Sequence, residues 1–323
     1  MSSKTILEAE NLTKYFPLVG GFMGKQKSYV RAVDDISFNI MEGETFGLVG
    51  ESGCGKTTTG RLLLRLIEPT AGKVIFQGKN IPVLDKDELL DLRKEMQIIF
   101  QNPHASFNPR KTLNQILSDP FIIQKISDYK HRISELLEII GLTPIHKFIN
   151  RFPHELSGGQ RQRLGIARAI ALNPSFIVAD EPVSSVDMSI RAQILNLMKD
   201  LQKKYGISYL LITHDLSVVR NVCSRIAVMY LGKIVELAGV NELYSHPLHP
   251  YTKALLSATP IPNPKRTRSR ERILLTGDVP SAINPPPGCR FHTRCSVATP
   301  QCKKEEPQLV EVKKGRFVAC HQI

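Results

Sequence analysis

The sequence predicts an α/β fold in which a mixed β-sheet carries a phosphate-binding loop, with a helical subdomain and an irregular, cysteine-containing C-terminal extension. Three observations predict this fold. An apolar strand, a glycine-rich loop and a helix follow one another over residues 45–67. A second apolar run, residues 176–179, ends on two acidic residues. Residues 91–170 carry several helical patterns, with a Ser-Gly-Gly sequence before one helix.

The phosphate-binding loop is the run GESGCGKT at Gly50–Thr57, which fits the pattern G-x-x-x-x-G-K-[ST] at each fixed position. The apolar stretch Thr45–Val49 before the loop predicts a buried strand, and Thr58–Ile67 after it predicts a helix. Glycines let backbone N–H groups turn toward a polyanion, and the start of a helix adds partial positive charge. This context favours a nucleotide site over an ordinary glycine turn. The predicted nucleotide contacts are Ser52, Gly53, Cys54, Gly55, Lys56, Thr57 and Thr58.

Four side chains are predicted to act on the phosphates, on Mg²⁺ and on water. Lys56 would place its charge at the β- and γ-phosphates, and Thr57 would offer its hydroxyl to Mg²⁺. Asp180 ends the second strand, where its carboxylate can hold Mg²⁺ through water. Glu181 follows it, where a carboxylate can polarise the water that attacks the γ-phosphate. A solvated acidic strand end is the alternative, and the phosphate-binding loop upstream disfavours it.

The motif LSGGQ at Leu156–Gln160 predicts a second anion-binding helix start. Ser157 suits the N-cap of a helix predicted over Arg161–Asn173, and two glycines allow the backbone to approach a ligand closely. Because the phosphate-binding loop already supplies one such site, a single ATP does not need both from one subunit. A capped helix without a ligand is the alternative, and the other motifs disfavour it.

The loop, the LSGGQ motif and the acidic strand end, in this order, resemble those of the ATP-binding-cassette (ABC) ATPases. The resemblance implies a P-loop ABC ATPase core that hydrolyses Mg·ATP in a head-to-tail dimer. In such a dimer the motif of one subunit closes over the γ-phosphate held by the other. The residues expected to make this closing contact are Ser157, Gly158, Gly159 and Gln160.

Four smaller features extend the resemblance. Gln101, at the end of a short apolar strand, corresponds to the family's Gln loop, which contacts Mg²⁺ and the attacking water. His214 corresponds to the His switch at the γ-phosphate, and Ser184–Asp187 to the loop that crosses the dimer interface. An imidazole suits the switch because it can donate to a phosphate oxygen. Phe16 is expected to stack on adenine, with a role in the core as the alternative.

The C-terminal region resembles the ATP-binding subunits of oligopeptide/dipeptide ABC importers, a group that also includes nickel importers. The matching segments are Ser245–Leu256 and Pro286–Cys295, with Cys302 beyond them. This resemblance implies that hydrolysis drives peptide uptake through two membrane permease subunits, served by a solute-binding protein. The second ATPase subunit would be another copy or a related cassette. We expect an ATPase domain over residues 1–240, with its helical subdomain at about 91–170, and an extension over 241–323.

Four of the six cysteines lie in the extension, with the spacing C-x5-C-x6-C-x17-C. Clustered cysteines in a cytosolic protein favour a metal over disulfides. The wide gaps suit a [4Fe–4S] cluster better than Zn²⁺, and free thiols or a disulfide remain as further alternatives. The predicted ligands are Cys289, Cys295, Cys302 and Cys320. Because they lie outside every ATPase motif, we expect ATP hydrolysis to survive their substitution.

Charge and hydropathy predict where the protein acts. The chain has 323 residues and a net charge of +13, and no run approaches the ~20 apolar residues that span a bilayer. The N-terminus has no apolar signal-peptide core. From Asn241 onward there are 13 Lys and Arg against 6 Asp and Glu, without interleaved aromatic residues. We therefore expect a cytoplasmic protein, peripheral on the inner face of the cell membrane, and no nucleic-acid partner.

Two other functions are alternatives to transport. A soluble ABC ATPase that acts on DNA or ribosomes typically carries two cassettes or large insertions, and this chain has one cassette with an importer-like extension. A metal-sensing regulatory subunit with weak ATPase activity would be favoured by a degenerate Glu181 or LSGGQ motif, and neither is degenerate.

Overall fold

The computed structural model describes residues 4–18, 28–102, 106–184, 186–259, 273–275 and 277–323. In these residues the strands are β1 Thr5–Leu18, β2 Ser28–Met41, β3 Thr45–Val49, β4 Ala71–Phe76, β5 Lys79–Asn80, β6 Met96–Ile99, β7 Phe176–Asp180, β8 Ser208–Thr213, β9 Arg225–Tyr230, β10 Lys233–Gly239, β11 Val310–Lys313 and β12 Arg316–Val318. The helices are α1 Lys56–Leu63, α2 Lys86–Leu92, α3 Leu113–Ile123, α4 Lys130–Ile139, α5 Gly158–Ala169, α6 Met188–Tyr205, α7 Leu216–Val222, α8 Val240–Ser245, α9 Pro250–Ala258 and α10 Pro300–Lys304.

The chain divides into two compact units. The first unit consists of Met1–Ile6, Met41–Glu44 and Val83–Ile212. The second unit consists of Leu7–Ile40, Thr45–Pro82 and Thr213–Ile323. The LSGGQ motif and the acidic strand end therefore belong to the first unit, whereas the phosphate-binding loop and the C-terminal extension belong to the second.

The first unit contains parallel strands β6, β7 and β8 in adjacent positions, with Met96 opposite Phe176 and Phe176 opposite Ser208. Every residue of β7 is buried, as its continuous apolar run requires for a strand covered on both faces. The helices α3, α4 and α5 contact one another, and several leucines and isoleucines of α3 and α4 are buried. These helices lie within residues 91–170, where the sequence shows helical patterns.

The second unit contains two sheets. One sheet has the strand order β2-β1-β4-β5, in which the β1–β4 and β4–β5 pairs are antiparallel and Leu7 lies opposite Phe76. The other strands follow the order β11-β12-β10-β9-β3, in which β3 runs parallel to β9 and the remaining pairs are antiparallel. All five residues of β3 are buried, which confirms the predicted strand before the phosphate-binding loop. The mixed sheet of the predicted fold is therefore present.

The C-terminal extension packs into the core of the second unit. The ring of Tyr251 meets the edge of Tyr230 at a centroid distance of 4.7 Å, and Phe291 lies 5.2 Å from Tyr230 and 5.3 Å from Tyr251. Strand β12 pairs with β10, with Val318 opposite Glu236. The described part of the extension thus combines helices α8, α9 and α10 and a β-hairpin with irregular stretches between them.

Helix α1 is shorter than the predicted helix Thr58–Ile67. It begins two residues earlier, at Lys56, and it ends at Leu63. Arg65 adopts a left-handed conformation with φ 46°, and the N–H of Leu66 bonds to the carbonyl of Arg61, which closes the C-terminus. The apolar pattern continued past this turn, but Leu66 is 44% exposed.

Two further predicted segments differ from the structure. The helix predicted over Arg161–Asn173 is α5, which begins three residues earlier at Gly158 and ends at Ala169. The inserted loop predicted between Phe16 and Val30 is strand at its two ends, since β1 continues to Leu18 and β2 starts at Ser28. Residues 19–27 of that loop lie outside the described residues.

No helix in the described parts of the chain is long and apolar enough to cross a membrane.

Candidate functional site

The phosphate-binding loop joins β3 to α1, as predicted, and Lys56 is the first residue of the helix. The Lys56 side chain is 5% exposed. Its ammonium donates to the carbonyl oxygens of Gly50 and Glu51, each at 2.8 Å. The carbonyl groups of the loop therefore hold the ammonium of Lys56 beside the loop, and a bound phosphate can replace them as its hydrogen-bond partner.

The glycines of the loop sit where a side chain would not fit. A Cβ on Gly55, whose φ is 111°, would lie 2.1 Å from the carbonyl oxygen of Ala32. A Cβ on Gly50 would lie 2.1 Å from the carbonyl oxygen of Met229. Gly53 has no atom within 4 Å of its Cβ position, so this side of the loop is open. The loop thus has a packed inner side and an accessible outer side, which suits a polyphosphate.

The acidic strand end brings two predicted catalytic residues together. Glu181 follows β7 with a left-handed φ of 46°, which is costly for a residue with a side chain. Its N–H bonds to the carbonyl of Ile212 at 2.9 Å, which holds this conformation. The amide nitrogen of Gln101 then donates to Oε2 of Glu181 at 2.8 Å. The sequence predicted both residues, but it did not predict that they touch.

Each of the predicted Mg²⁺ ligands carries an oxygen donor. Thr57 offers a hydroxyl, Asp180 a carboxylate that is 5% exposed, and Gln101 an amide oxygen. All three are oxygen donors, which a hard divalent cation prefers. The side-chain oxygens of Asp180 and Gln101 belong to the first unit and that of Thr57 to the second.

The LSGGQ motif forms the predicted N-terminus of α5. The Ser157 hydroxyl accepts the N–H of Gln160 at 3.3 Å, and the Gln160 side chain accepts the N–H of Ser157 at 3.0 Å. This reciprocal capping box confirms Ser157 as the N-cap. A Cβ on Gly159 would lie 2.7 Å from Cγ2 of Ile190, whereas a Cβ on Gly158 meets nothing within 4 Å. Gly159 is packed against α6, and Gly158 faces open space.

The remaining predicted residues lie at exposed or partly described positions. His214 directly follows β8 and is exposed. Phe16 is 37% exposed, so it is not a core residue, and the ammonium of Lys14 lies 5.0 Å from its ring centroid. Its stacking on adenine stays a prediction. In the segment Ser184–Asp187, Ser185 lies outside the described residues, as does the basic run Lys265–Arg270.

A link between the C-terminal extension and the phosphate-binding loop was missed by sequence reasoning. The guanidinium of Arg294 forms two bonds to the Glu51 carboxylate, at 2.8 and 3.2 Å. The backbone N–H of Glu51 donates to the hydroxyl of Tyr251 at 2.9 Å. Burial disfavours the charge of Arg294, but the bonds with Glu51 raise its pKa above the usual value. The sequence feature that could have indicated this link is the carboxylate of Glu51 inside a phosphate-binding loop, because a carboxylate there is favoured by a nearby cation.

The cysteines of the extension are not assembled into a recognisable metal site in the described residues. All six cysteines of the chain are free thiols. Burial raises the pKa of Cys289 to about 11, and the thiols of Cys302, Cys320 and Cys295 add to the shift. Among the described residues, no group of three or more His, Cys, Asp and Glu side chains is arranged to hold a metal ion. The structure therefore gives the predicted iron–sulfur cluster or zinc ion no support.

Comparison with known families and proteins agrees with this geometry. Residues 33–184 match the family described as ABC transporter, and residues 235–302 match the family described as oligopeptide/dipeptide transporter, C-terminal region. The oligopeptide transport ATP-binding protein AppF of Bacillus subtilis is 51% identical over 99% of this chain and 98% of its own length. The dipeptide transport ATP-binding protein DppF of Haemophilus influenzae is 47% identical over 98% of this chain and 97% of its own length.

A solved structure shares the fold. It is the dimeric post-hydrolysis state of an ATP-binding cassette bound to ADP and Pi, with 31% identity and a TM-score of 0.63. The match covers 72% of this chain and 98% of that one. The chain therefore belongs to the ABC transporter family and carries the C-terminal region of its oligopeptide/dipeptide transporters. The predicted ABC fold and the ATPase class are confirmed, and these relatives give no support to a soluble ATPase that acts on nucleic acid or ribosomes.

Proposed function

We propose that this protein is the ATP-hydrolysing subunit of a peptide importer, and that it couples ATP hydrolysis to the uptake of oligopeptides or dipeptides. The observation that carries the proposal is the presence of both matches in one chain, the ABC family at residues 33–184 and the peptide-transporter region at 235–302. The relatives named for peptide transport match almost from end to end, which supports the same solute class here.

In this function, different residues bind the phosphates, activate the attacking water and hold the base. Lys56 exchanges its carbonyl partners for the phosphates and balances their charge. Glu181, oriented by Gln101 and by its own backbone, accepts a proton from the attacking water. His214 donates to the γ-phosphate and Phe16 stacks on the base. Mg²⁺, held by Thr57, Asp180 and Gln101, would neutralise charge that develops on the phosphate oxygens.

The same proposal includes a head-to-tail dimer. The accessible Gly158 at the start of α5 supports a role for the motif at a partner's nucleotide, since its Cβ position is open. The helix start offers backbone N–H groups and partial positive charge to a γ-phosphate. Ser157 and Gln160 cap each other, so in this role they shape the helix start while the backbone makes the contact.

The partners and the place of action follow from the transport function. The dimer would bind two membrane permease subunits on the cytoplasmic side, with a solute-binding protein that delivers peptides to them. Residues 1–240 would form the ATPase domain, with a helical subdomain at about 91–170, and residues 241–323 the extension. The spacing of Cys289, Cys295, Cys302 and Cys320 remains the reason to propose a [4Fe–4S] cluster or, alternatively, Zn²⁺ in the extension.

Affinity purification from the source membrane tests the transport function. The tagged protein should co-purify with two polytopic membrane proteins, and ATP hydrolysis by the complex should rise when peptide-loaded solute-binding protein is added. Recovery of nucleic acid or ribosomal proteins in their place would contradict the proposal. A tagged Glu138→Gln variant, altered at an exposed carboxylate of α4, is the control, and it should co-purify with the same membrane proteins as the wild type.

A further inference from the structure

The phosphate-binding loop contains a carboxylate, that of Glu51, whose negative charge disfavours the binding of phosphates. Glu51 immediately follows Gly50, the first glycine of the loop, and its carbonyl oxygen accepts a bond from Lys56 at 2.8 Å. A negative charge at this place repels the phosphates that the loop binds, since unit charges a few ångströms apart interact by about 1 kcal/mol even in water. A cation that neutralises Glu51 therefore favours nucleotide binding.

Arg294 of the C-terminal extension supplies that cation. Both of its terminal nitrogens bond to the two carboxylate oxygens of Glu51, at 2.8 and 3.2 Å. The Arg294 side chain is only 8% exposed and that of Glu51 is 25% exposed. Bidentate pairs of this kind fix orientation as well as charge, and a partly buried pair is screened less by salt than an exposed one.

The backbone of Glu51 is held from the same extension. Its N–H donates to the hydroxyl of Tyr251 at 2.9 Å, and Tyr251 is wholly buried against Tyr230 and Phe291. The N–H of Arg294 in turn bonds to the carbonyl of Phe291 at 3.0 Å. The aromatic cluster therefore positions both groups that contact Glu51, namely the hydroxyl of Tyr251 and the guanidinium of Arg294.

We propose that Arg294 is a positioning residue for the nucleotide: it neutralises and orients Glu51, so that the C-terminal extension sets the affinity of the phosphate-binding loop for ATP. This inference rests on the proposed ATPase function. It extends that function by giving the extension a part in the nucleotide site, although Arg294 lies 243 residues from Glu51 in the chain.

The role proposed for Arg294 also bears on the two cysteines on either side of it. Cys289 and Cys295 bracket Arg294, and the chain between them is a tight turn in which the N–H of His292 bonds to the carbonyl of Cys289 at 3.0 Å. A substitution that disturbs this turn would move Arg294 away from Glu51. Substitution of these cysteines can therefore weaken ATP binding, although they lie outside the ATPase motifs.

The test measures the affinity for Mg·ATP by calorimetry in the wild type and in three variants. Arg294→Gln should raise the Kd about tenfold, because it leaves Glu51 as an unpaired negative charge in the loop. The double variant Glu51→Gln with Arg294→Gln should return the Kd to within about threefold of wild type, because the repelling charge is gone. Glu51→Gln completes the cycle. In steady-state assays, Arg294→Gln should raise KM for ATP and change kcat by less than about twofold.

Arg316→Gln is the matched control. Arg316 is also 8% exposed in the extension, and its ion-pair partners are Glu236 and Glu242. This variant should lower the melting temperature without changing the Kd for ATP. If Arg294→Gln does not fold, Arg294→Lys takes its place, with an expected Kd about threefold above wild type.

Two results would overturn the inference. One is a wild-type Kd for ATP in Arg294→Gln, and the other is a double variant as weak as Arg294→Gln alone, which would mean that Arg294 only supports folding. Failure of the wild type to bind ATP would instead refute the proposed function.

Discussion

The side-chain amide of Gln101 donates a hydrogen bond to Oε2 of Glu181 at 2.8 Å. Gln101 comes two residues after β6 and Glu181 directly after β7, and because these strands are parallel neighbours the sheet brings the two residues together. Glu181 also has a left-handed backbone that a bond to Ile212 stabilises. A carboxylate fixed from two directions is prepared to orient water, which makes Glu181 the first residue to test.

Glu181→Gln should leave ATP binding intact and nearly abolish turnover, because the carboxylate acts on water and not on the nucleotide. ATP should then hold two subunits together, and gel filtration with ATP and Mg²⁺ should show a dimer. Glu138→Gln, at an exposed carboxylate of α4, should behave as the wild type. A variant that remains monomeric with ATP and still hydrolyses it would contradict the role given to Glu181.

Lys56→Ala should weaken the binding of ATP itself, because it removes the charge that faces the β- and γ-phosphates. The loss should be about tenfold or more, since charge-assisted hydrogen bonds contribute about 1.5–3 kcal/mol. Calorimetry measures it, with Lys79→Ala, at an exposed lysine of β5, as the control. Unchanged affinity in Lys56→Ala would show that the loop is not the nucleotide site.

Gly158→Asp or Ser157→Arg should spare ATP binding by the monomer and prevent dimer closure. The Cβ position of Gly158 is open, so the fold tolerates the new side chain, but a partner's γ-phosphate would meet an anion or a bulky group. Subunits of either variant mixed with Lys56→Ala subunits should regain some ATPase activity, because one composite site is then intact. Loss of ATP affinity in the monomeric variants would mean that the motif acts within its own subunit.

Acid should destabilise the protein through His249. Burial, with a smaller contribution from Lys253, lowers its pKa from 6.5 to about 3, and Nδ1 accepts the N–H of Tyr251 at the start of α9. The unfolded chain therefore binds the proton more readily, so stability is fully present above about pH 6.5 and is lost as the pH falls. The loss is at most about 1.4 kcal/mol for each pH unit below 6.5.

His249→Asn removes the titrating group and keeps an acceptor at the N-cap. Its melting temperature should fall less than that of the wild type between pH 7 and pH 5. His246→Asn, at an exposed histidine three residues earlier, should retain the wild-type dependence. Equal acid sensitivity in His249→Asn and the wild type would exclude His249 as its source.

Metal analysis decides whether the cysteines of the extension bind a metal. Protein purified without oxygen should contain about four irons and be brown if it carries a cluster, or one zinc and be colourless. Substituting Cys289, Cys295, Cys302 or Cys320 by Ser should lower the metal content, whereas Cys54→Ser and Cys223→Ser should not. Absence of both metals from anaerobic protein would end the proposal.

Local runs of sequence predicted the ATPase motifs well because their chemistry depends on adjacent residues. The strand before the phosphate-binding loop, the N-cap Ser157 and the buried Asp180 all follow from short patterns. The contact of Gln101 with Glu181 joins residues 80 apart, and that of Arg294 with Glu51 joins residues 243 apart. No periodic pattern encodes such pairs, because they depend on how strands and the extension pack.

Helix ends were predicted less well than helix positions. The apolar residues after Leu63 continue a helical pattern, but the left-handed Arg65 ends α1 and leaves Leu66 exposed. The glycines of the LSGGQ motif were placed before α5, yet they form its first turn because Ser157 caps the helix there. A left-handed residue sets the helix end in the first case and an N-cap hydrogen bond in the second, and the hydrophobic pattern encodes neither.

Peptide uptake by the reconstituted importer tests the central claim most directly. The complex of this ATPase with its co-purified permease is placed in proteoliposomes with the ATPase facing the bulk solution, and peptide-loaded solute-binding protein is enclosed. We predict that added Mg·ATP drives labelled peptide out of the lumen, and that Glu181→Gln in this chain abolishes the transport while ATP still binds. Transport at the wild-type rate in the Glu181→Gln complex, or ATP hydrolysis without movement of any peptide, would contradict the account.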